Sequence, residues 1–458
     1  MKYFKFPLTL IILFFLMAPL SSGSWAAETE NDYIKVGLKY GNSAVDACTI
    51  SSEEGFILGT IDGSGFIEGM PLPGYTSVVA SEEHGIIVLR DENGIMLSSD
   101  LSDSTCIMPA NYRNEGIIKL GVTPYRGGII LHENGSGKLN VINYLSLEHY
   151  VSGVLNAEIY HTNPMEALKA QAVVARSFGG ACKGIHTNDG FDVCQTTHCQ
   201  VYVGYKGEYE ETNKAVYETS GQMIYSQGKP VITYYFKNSG GHTQNVEDVW
   251  SGSKPYLIGV NDEYSPSYPW TISLTFDTIK QKLEASGYSP GQIKSVAIKS
   301  RNINGSVADL EIVGSNETVH LLKERTRYVL GTSTVKSLMF GLGNEAPALI
   351  RSDYNLIASN GMNCIDLGND VYIISGEGEI TKQQTSTIYC GNGSSSVKLQ
   401  GVNTYAEDAI VTGGTVTFSG LGYGHGIGMP QDSAIEMAKL GITYDEILKK
   451  YYTNIEIK

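Results

Sequence analysis

One stretch decides how this chain folds: Asn163-Pro164-Met165-Glu166-Ala167-Leu168-Lys169-Ala170-Gln171-Ala172-Val173-Val174-Ala175-Arg176-Ser177-Phe178. Its opening is typical of a helix N-terminus, with Asn163 as N-cap, Pro164 at the first helical position and Glu166 three residues past the cap. The body is apolar over most of its circumference, so we expect a buried helix. Gly179-Gly180 is expected to end it.

This helix carries two cations, Lys169 and Arg176, seven residues apart and therefore on one side. Two cations on a mostly buried helix need anionic partners. Glu158 or a carboxylate of the substrate meets that need. We predict that both cations reach the cleft of Glu158, where they position substrate or tune the glutamate.

A second, amphipathic helix is predicted just upstream, beginning after Ser146. Apolar residues recur at helical spacing from Leu147 to Leu155, and Glu158 follows on the same side as Tyr150 and Val154. A glutamate leaving the helix toward the core is partly buried. Burial raises the pKa of a carboxyl group, as a general acid requires.

Potential metal ligands follow the apolar helix. His186, Cys194, His198 and Cys199 make up the two-Cys, two-His set of a closed structural zinc site, with Cys182 as the substitute for His186. The spacing is not that of a standard zinc finger. A Cys194–Cys199 disulfide with two loop histidines is the alternative interpretation. Four protein ligands leave no open position, so the metal would hold the loop beside Glu158 rather than activate water.

Several motifs occur along the chain in this order: Asn156-Ala157-Glu158, Glu166 to Ala172, Ala175-Arg176, Asn238 to Thr243, Trp250, Pro255-Tyr256-Leu257 and Gly420 to Met429. Together they resemble the core of the stage II sporulation protein D and amidase-enhancer family. The resemblance spans residues 35–342 and 413–458, and where the family usually has Ser-Gln this chain has Pro430-Gln431.

The resemblance implies a lytic transglycosylase that acts on bacterial cell-wall glycan stripped of stem peptides. Glu158 matches the single catalytic acid/base of the family. Some members carry a zinc bound by Cys and His after the buried helix, which favours zinc over the disulfide here. The region after residue 231 lies near the groove in the family, so Tyr235, Trp250 and Lys254 are candidate glycan contacts. Alternatively, Trp250 covers the core.

A rival function comes from the enhancer name of part of the family: a non-catalytic wall-binding module that stimulates an amidase partner. Retention of Glu158, Lys169 and Arg176 favours the enzyme without excluding the rival. Ser239 and His242 lie in a glycine loop that has no nucleophile elbow, which argues against serine chemistry.

The start and the net charge of the chain bear on its location and partners. Residues 1–26 are typical of a secretory signal, with an apolar run of about fifteen residues where a membrane span needs roughly twenty. An uncleaved anchor is the alternative. The formal net charge is −15, and loss of Lys2 and Lys5 with the signal lowers it by two. An acidic, secreted protein at the cell wall or membrane surface is a poor partner for nucleic acid.

We expect an α+β fold in which two β-rich additions join the family core. The predicted parts are a β-rich segment at 33–115, core at 116–342 and 413–458, and an inserted β module at 344–412. Secretion permits Cys48–Cys106 and Cys364–Cys390 disulfides. If both form and zinc takes Cys194 and Cys199, Cys182 is the odd one of seven cysteines and is expected to be a packed free thiol.

Alternate glycines from Gly420 to Gly428 predict a strand-like segment with one bare face. Its His425 is either a groove residue or a core residue bonded to backbone. A helix over Pro430 to Leu440 and a last helix capped by Thr443 and Glu446 are predicted to follow.

Overall fold

The structure, a computed structural model, describes residues 33–63, 65–99, 101–302, 304–343 and 410–458, together with the backbones of four strands between 370 and 400. Helices and sheets are interspersed along the chain, which confirms the α+β class. The predicted signal at 1–26 lies outside the described residues. None of the helices in the described part has the length and hydropathy to span a bilayer.

Strands dominate the chain up to the first helix. They are β1 (Tyr33–Lys39), β2 (Ala47–Ser51), β3 (Phe56–Asp62), β4 (Gly65–Leu72), β5 (Ser77–Glu83), β6 (Ile86–Arg90), β7 (Met96–Ser98), β8 (Thr105–Pro109), β9 (Ile117–Leu120), β10 (Thr123–Arg126), β11 (Gly128–Glu133) and β12 (Leu139–Ser146).

Helices and shorter strands make up the rest. The helices are α1 (Leu147–Glu158), α2 (Met165–Ala181), α3 (Glu210–Glu218), α4 (Val246–Val249), α5 (Phe276–Ala285), α6 (Arg325–Leu330), α7 (Gln431–Lys439) and α8 (Tyr444–Tyr451). The strands are β13 (Val193–Cys194), β14 (Ile224–Ser226), β15 (Lys229–Pro230), β16 (Tyr235–Phe236), β17 (Pro269–Thr275), β18 (Ile293–Arg301), β19 (Val307–Gly314), β20 (Thr318–Leu322), β21 (Phe340–Leu342), β22 (Asp370–Ile374), β23 (Ile380–Gln384), β24 (Thr387–Gly391), β25 (Ser396–Gln400), β26 (Thr415–Leu421), β27 (Met429–Pro430) and β28 (Glu456–Ile457).

Two sheets form the first half of the molecule. A seven-stranded sheet has the order β13-β1-β12-β11-β8-β3-β4, and a six-stranded sheet has the order β10-β9-β2-β5-β6-β7. Strands from the predicted 33–115 segment therefore share a sheet with β11 and β12 of the predicted core. Strand β12 is buried along nearly its whole length and leads directly into α1.

Helix α2 lies between two hydrophobic cores. Its Leu168, Ala172 and Phe178 belong to the core under the large sheet, whereas Val173 and Val174 belong to the core formed with β17–β21, α5, α7 and α8. Burial on both sides explains why the helix is apolar over most of its circumference.

The ends of the helices match the predictions in part. Ser146 caps α1 by accepting a hydrogen bond from His149 N (3.3 Å), and Thr443 caps α8 in a capping box with Glu446, as expected. Helix α2 begins one residue later than predicted, with Pro164 at the N-cap position. It also continues past Gly179-Gly180 to Ala181. A Cβ on Gly179 would lie 2.9 Å from the ring of Tyr150, so this glycine permits close helix packing.

One expected strand differs in the structure, and a short strand lies beside it. Within residues 231–236 only Tyr235–Phe236 is a strand, and it pairs in parallel with Met429–Pro430. The predicted strand-like segment over Gly420 to Gly428 is wrong beyond Leu421. Gly422, Gly424, Gly426 and Gly428 all have positive φ, between 78° and 127°, so the chain forms a loop. A Cβ on Gly428 would lie 2.0 Å from Tyr234 O, and only glycine permits that approach.

The cysteines of the described residues are free, so a Cys48–Cys106 disulfide is absent. The two side chains pack in different places: Cys106 belongs to a small apolar cluster with Met108 and Ile130, whereas Cys48 packs against the core under the large sheet. Cys182 is a packed free thiol, and burial raises its pKa to about 12. The expected Cys364–Cys390 pair lies outside the residues whose side chains are described.

Candidate functional site

Glu158 is the last residue of α1 and is half-buried. Its carboxylate Oε1 accepts a hydrogen bond from Val201 N at 3.0 Å. Burial raises the pKa of Glu158, while the Val201 N–H and the Tyr235 hydroxyl act in the opposite direction and only partly offset it. The net shift is upward, toward the protonated form that a general acid needs near neutral pH.

A chain of buried polar side chains leads to Glu158. Tyr150 donates its hydroxyl proton to Gln200 Oε1 at 3.0 Å, and Gln200 Nε2 donates to the Tyr235 oxygen at 3.3 Å. Burial, followed by the negative charge of Glu158, raises the pKa of Tyr235 well above its usual range. Tyr235 therefore keeps its proton and can donate it to the Glu158 carboxylate. Gln200 was not singled out by the sequence analysis, although it directly follows the candidate ligand Cys199.

One glutamine, itself bonded to a second, holds the backbone at Glu158. Gln431 Nε2 donates to the Glu158 carbonyl oxygen at 3.0 Å and to Gln171 Oε1 at 3.4 Å. Gln171 is fully buried on α2, and its Nε2 has no hydrogen-bond partner among the described residues. The sequence signal for this contact was weak. Gln171 is a polar residue on a buried helix face, and Gln431 follows the glycine-rich motif 260 positions later.

His425 makes two hydrogen bonds to backbone. Nδ1 accepts from Ile427 N at 3.1 Å, so Nε2 carries the proton and donates to the Tyr235 carbonyl at 3.1 Å. Burial, with a smaller effect from the charge of Arg327, lowers the pKa of His425 to about 3. Of the two expectations for His425, this geometry matches the core residue bonded to backbone.

Trp250 and Lys254 occupy the segment after α4. The Trp250 ring lies 4.8 Å from the ring of Tyr234 and 4.9 Å from that of His425, so it covers the far side of the His425 ring. Lys254 is part of a turn in which its carbonyl accepts from Leu257 N at 3.0 Å. No hydrogen bond within the described residues joins either side chain to Glu158.

Lys169 and Arg176 do not lie in this site. Gln171 faces Glu158, and at 100° per residue Arg176 points about 140° and Lys169 about 160° away from it around the helix. Arg176 is 1% exposed and makes two 2.7 Å bonds to the Glu148 carboxylate. Lys169 pairs with Glu166 and with Glu218 of α3. The expectation that both cations reach the cleft of Glu158 is therefore corrected, because carboxylates of α1, α2 and α3 neutralise them away from Glu158.

Ser239 and His242 also have separate partners. Ser239 donates to Asp262 at 2.6 Å, and His242 Nδ1 bonds to the Thr243 carbonyl. They do not form a nucleophile and base, in agreement with the sequence analysis. Asn238 exchanges backbone hydrogen bonds with Tyr423, which brings this loop against the glycine-rich motif.

The four predicted metal ligands converge. One ligand atom from each of His186, Cys194, His198 and Cys199 lies within 4.8 Å of all the others. Cys199 Sγ is 3.5 Å from His186 Nε2 and 3.5 Å from His198 Nδ1, and Cys194 Sγ is 3.8 Å from His198 Nδ1. Zinc bonds of about 2.0–2.3 Å in a tetrahedron place neighbouring ligand atoms roughly 3.3–3.8 Å apart, so the donor set fits this metal.

Groups around this cluster support its ligand atoms. The hydrogen bond from Cys199 holds the pKa of Cys194 well below its usual range, and Thr196 Oγ1 lies 3.2 Å from Cys194 Sγ. Asp189 Oδ2 is 3.7 Å from His186 Nδ1, on the side of the ring away from Cys199. Such outer partners orient metal ligands.

The ligand loop and the glutamate site are joined by the chain itself. Cys199 is followed by Gln200, which bonds to Tyr235, and by Val201, whose N–H bonds to Glu158. Any displacement of Cys199 therefore shifts two groups that touch the Glu158 site.

Comparison with known proteins links these elements to a family. Residues 135–225, which contain α1, α2 and the Cys/His cluster, match the family described as "Stage II sporulation protein". The chain is 29% identical over 355 residues to the amidase enhancer of Bacillus subtilis. The alignment covers 76% of this chain but only 46% of the enhancer.

Two further relatives align over most of their own length. An uncharacterised protein of Brachyspira hyodysenteriae is 27% identical, with 78% of this chain and 83% of the relative aligned. Stage II sporulation protein D of Bacillus subtilis is 26% identical, with 69% of this chain and 75% of the relative aligned. From these matches and the motifs around Glu158, residues 135–225 form a region of the stage II sporulation protein family, and most of the chain is similar to stage II sporulation protein D and the amidase enhancer.

Proposed function

We propose that this protein is a peptidoglycan lytic transglycosylase that acts at the cell wall on glycan strands freed of stem peptides. The observation that carries the proposal is the environment of Glu158. It is a half-buried glutamate with a raised pKa, held by Val201 N–H and Tyr235. A single acid/base is sufficient when the sugar supplies its own nucleophile.

The reaction is the cleavage of the bond between N-acetylmuramic acid and N-acetylglucosamine. Protonated Glu158 donates its proton to the glycosidic oxygen as the bond from that oxygen to C1 of N-acetylmuramic acid breaks. The resulting carboxylate takes the proton of the C6 hydroxyl while O6 bonds to C1. The products are a 1,6-anhydro end and a free N-acetylglucosamine hydroxyl, and Glu158 is protonated again. No carboxylate has to activate water, unlike in ordinary glycosidases.

Tyr235 and Gln431 act on Glu158 rather than on the sugar. The Tyr235 hydroxyl stabilises the carboxylate that forms after proton transfer, because its raised pKa keeps it a donor. Gln431 holds the main-chain carbonyl and with it the direction in which the side chain leaves α1.

We further propose that His186, Cys194, His198 and Cys199 bind one structural zinc ion. The metal would hold the loop that presents Gln200 and Val201 and would supply no chemistry of its own, because four protein ligands leave no open position. Secretion to the cell wall, a role in sporulation or wall turnover, and glycan as partner all belong to the same proposal.

The relative called amidase enhancer motivates a second candidate: a non-catalytic wall-binding protein that stimulates an amidase. One experiment separates the two. Purified protein and its Glu158→Gln variant are incubated with peptide-free glycan, and the products are analysed by mass spectrometry. We expect 1,6-anhydro fragments from the first and none from the second. Glycan left intact by the wild-type protein, with a cell-wall amidase stimulated by both proteins, would establish the enhancer instead.

A further inference from the structure

Exposed aromatic side chains surround the end of α1. Tyr160 is 74% exposed, and Tyr205 and Tyr209 are each 42% exposed. They belong to two segments that lie side by side: one from Glu158 to His161, the other from Val201 to Tyr209. Val201 N bonds to the Glu158 carboxylate, and Val203 N bonds to the Gly153 carbonyl at 3.1 Å, which ties the second segment to α1.

This surface is held in place rather than loosely exposed. The His161 ring stacks on the Tyr209 ring at 4.1 Å with 4° between their planes. His161 N bonds to Asn156 Oδ1 at 2.9 Å, and Asn163 bonds to the Tyr160 carbonyl through both its backbone N and its Nδ2. The loop that presents Tyr160 is therefore fixed at both ends, so a ligand would meet a largely preformed surface.

The charge beside the stacked His161–Tyr209 pair is negative, whereas Arg126 lies over the ring of Tyr205. Glu210 and Glu211 begin α3 directly after Tyr209, and Glu211 Oε2 lies 3.4 Å from His161 Nδ1. Glu208 is already neutralised by Arg126. The two remaining carboxylates would repel an anionic group such as the lactyl carboxylate of N-acetylmuramic acid.

We propose that Tyr160 and the stacked His161–Tyr209 pair form a subsite beside Glu158 that binds an uncharged N-acetylhexosamine of the glycan strand. This inference rests on the proposed function. Aromatic rings with one polar end suit a ligand that has an apolar face and hydroxyl edges, and a pyranose ring has both. Tyr160 and His161 follow Glu158 by two and three residues, so the subsite would bind a sugar next to the cleaved bond.

The test measures binding apart from cleavage. Tyr160→Ala, Tyr209→Ala and a control, Tyr328→Ala, are each made in the Glu158→Gln background. Tyr328 is 61% exposed on α6, in the part of the molecule that packs around the second core. The dissociation constant of each variant is measured for peptide-free glycan oligomers of defined length. We expect Tyr160→Ala and Tyr209→Ala to weaken binding by roughly five- to tenfold, and Tyr328→Ala to have no effect.

The outcomes distinguish the subsite from the proposed function. Unchanged glycan affinity in Tyr160→Ala and Tyr209→Ala, with melting temperatures like that of the parent, would overturn the subsite while leaving the cleavage reaction intact. Weakened binding by these two variants alone supports the subsite, even if the wild-type protein proves unable to cleave glycan. Failure of the Glu158→Gln parent to bind glycan, with both tyrosines needed to bind an amidase, would overturn the subsite and assign the surface to a protein partner.

Discussion

Replacing Arg176 by methionine should destabilise the protein strongly. The guanidinium is 1% exposed and makes two 2.7 Å bonds to the Glu148 carboxylate. It also donates to the carbonyl oxygens of Gln222 at 3.1 Å and of Val216 at 3.2 Å. These contacts join α2 to α1 and to the end of α3. Methionine keeps most of the volume of the side chain but none of its donors.

The size of the destabilisation depends on the Glu148 carboxylate, which loses its partner in Arg176→Met. Removing one partner of a buried ion pair typically costs about 3–5 kcal/mol, because the remaining charge stays poorly solvated. Glu148 is 21% exposed and keeps a bond from Gly221 N at 3.1 Å, which lowers the penalty. We therefore expect the free energy of unfolding to fall by about 3 kcal/mol. Lys169→Met is the matched control. Its partners Glu166 and Glu218 are 28% and 34% exposed. We therefore expect Lys169→Met to lower the free energy of unfolding by only about 0.5–1 kcal/mol.

The assay is urea unfolding followed by circular dichroism, with specific activity on glycan measured for the folded protein. A small and equal decrease in the free energy of unfolding for Arg176→Met and Lys169→Met would contradict the structural role of Arg176. Retained stability with a large loss of activity in Arg176→Met would restore the expectation that this cation serves the substrate.

Three further predictions concern the site. Because burial raises the pKa of Glu158 above about 4.5, the native protein holds this proton to higher pH than the unfolded chain does, and stability falls as pH rises from 4.5 through the native pKa. Glu158→Gln removes this dependence, so its melting temperature relative to wild type should be higher at pH 7 than at pH 4; the opposite order would mean that the native site favours the carboxylate. Purified protein should contain about one zinc per chain by mass spectrometry, and Cys194→Ser or Cys199→Ser should lower both metal content and melting temperature; a metal-free protein of equal stability would refute this. Gln431→Leu should lower kcat on glycan by roughly tenfold with little change in KM, because a misplaced acid/base mainly affects the chemical step; a change confined to KM would show that Gln431 contacts substrate.

Much of the local structure could be predicted from the chain. The apolar stripe from Leu147 to Leu155 and the cap at Ser146 identified α1, and the apolar circumference of α2 indicated burial on both sides. Both patterns arise from interactions within one or two helical turns. The fit of His186, Cys194, His198 and Cys199 to a single metal was also expected, because these residues fall within one short loop.

Other features of the fold were not predictable from local pattern. Glycines from Gly422 to Gly428 alternate as in a strand, yet each adopts positive φ. The backbone of Asn238 lies too close to Gly422, and that of Tyr234 too close to Gly428, to leave room for a side chain. A Cys48–Cys106 disulfide was expected from the secreted location, but the two residues lie on strands of different sheets and are not bonded.

Local patterns were sufficient to predict α1, α2, α7 and α8, the candidate acid at Glu158 and the Cys/His loop, since periodicity, caps and short spacings are local properties. Which charges meet depends instead on tertiary packing. Lys169 and Arg176 have the right spacing to share a cleft, but they bind Glu218 and Glu148 on neighbouring helices instead. Gln431 reaches Glu158 across more than half of the chain. The physical reason is that a buried polar group must find its partner wherever packing brings one, and packing between distant segments is not encoded in the spacing of either.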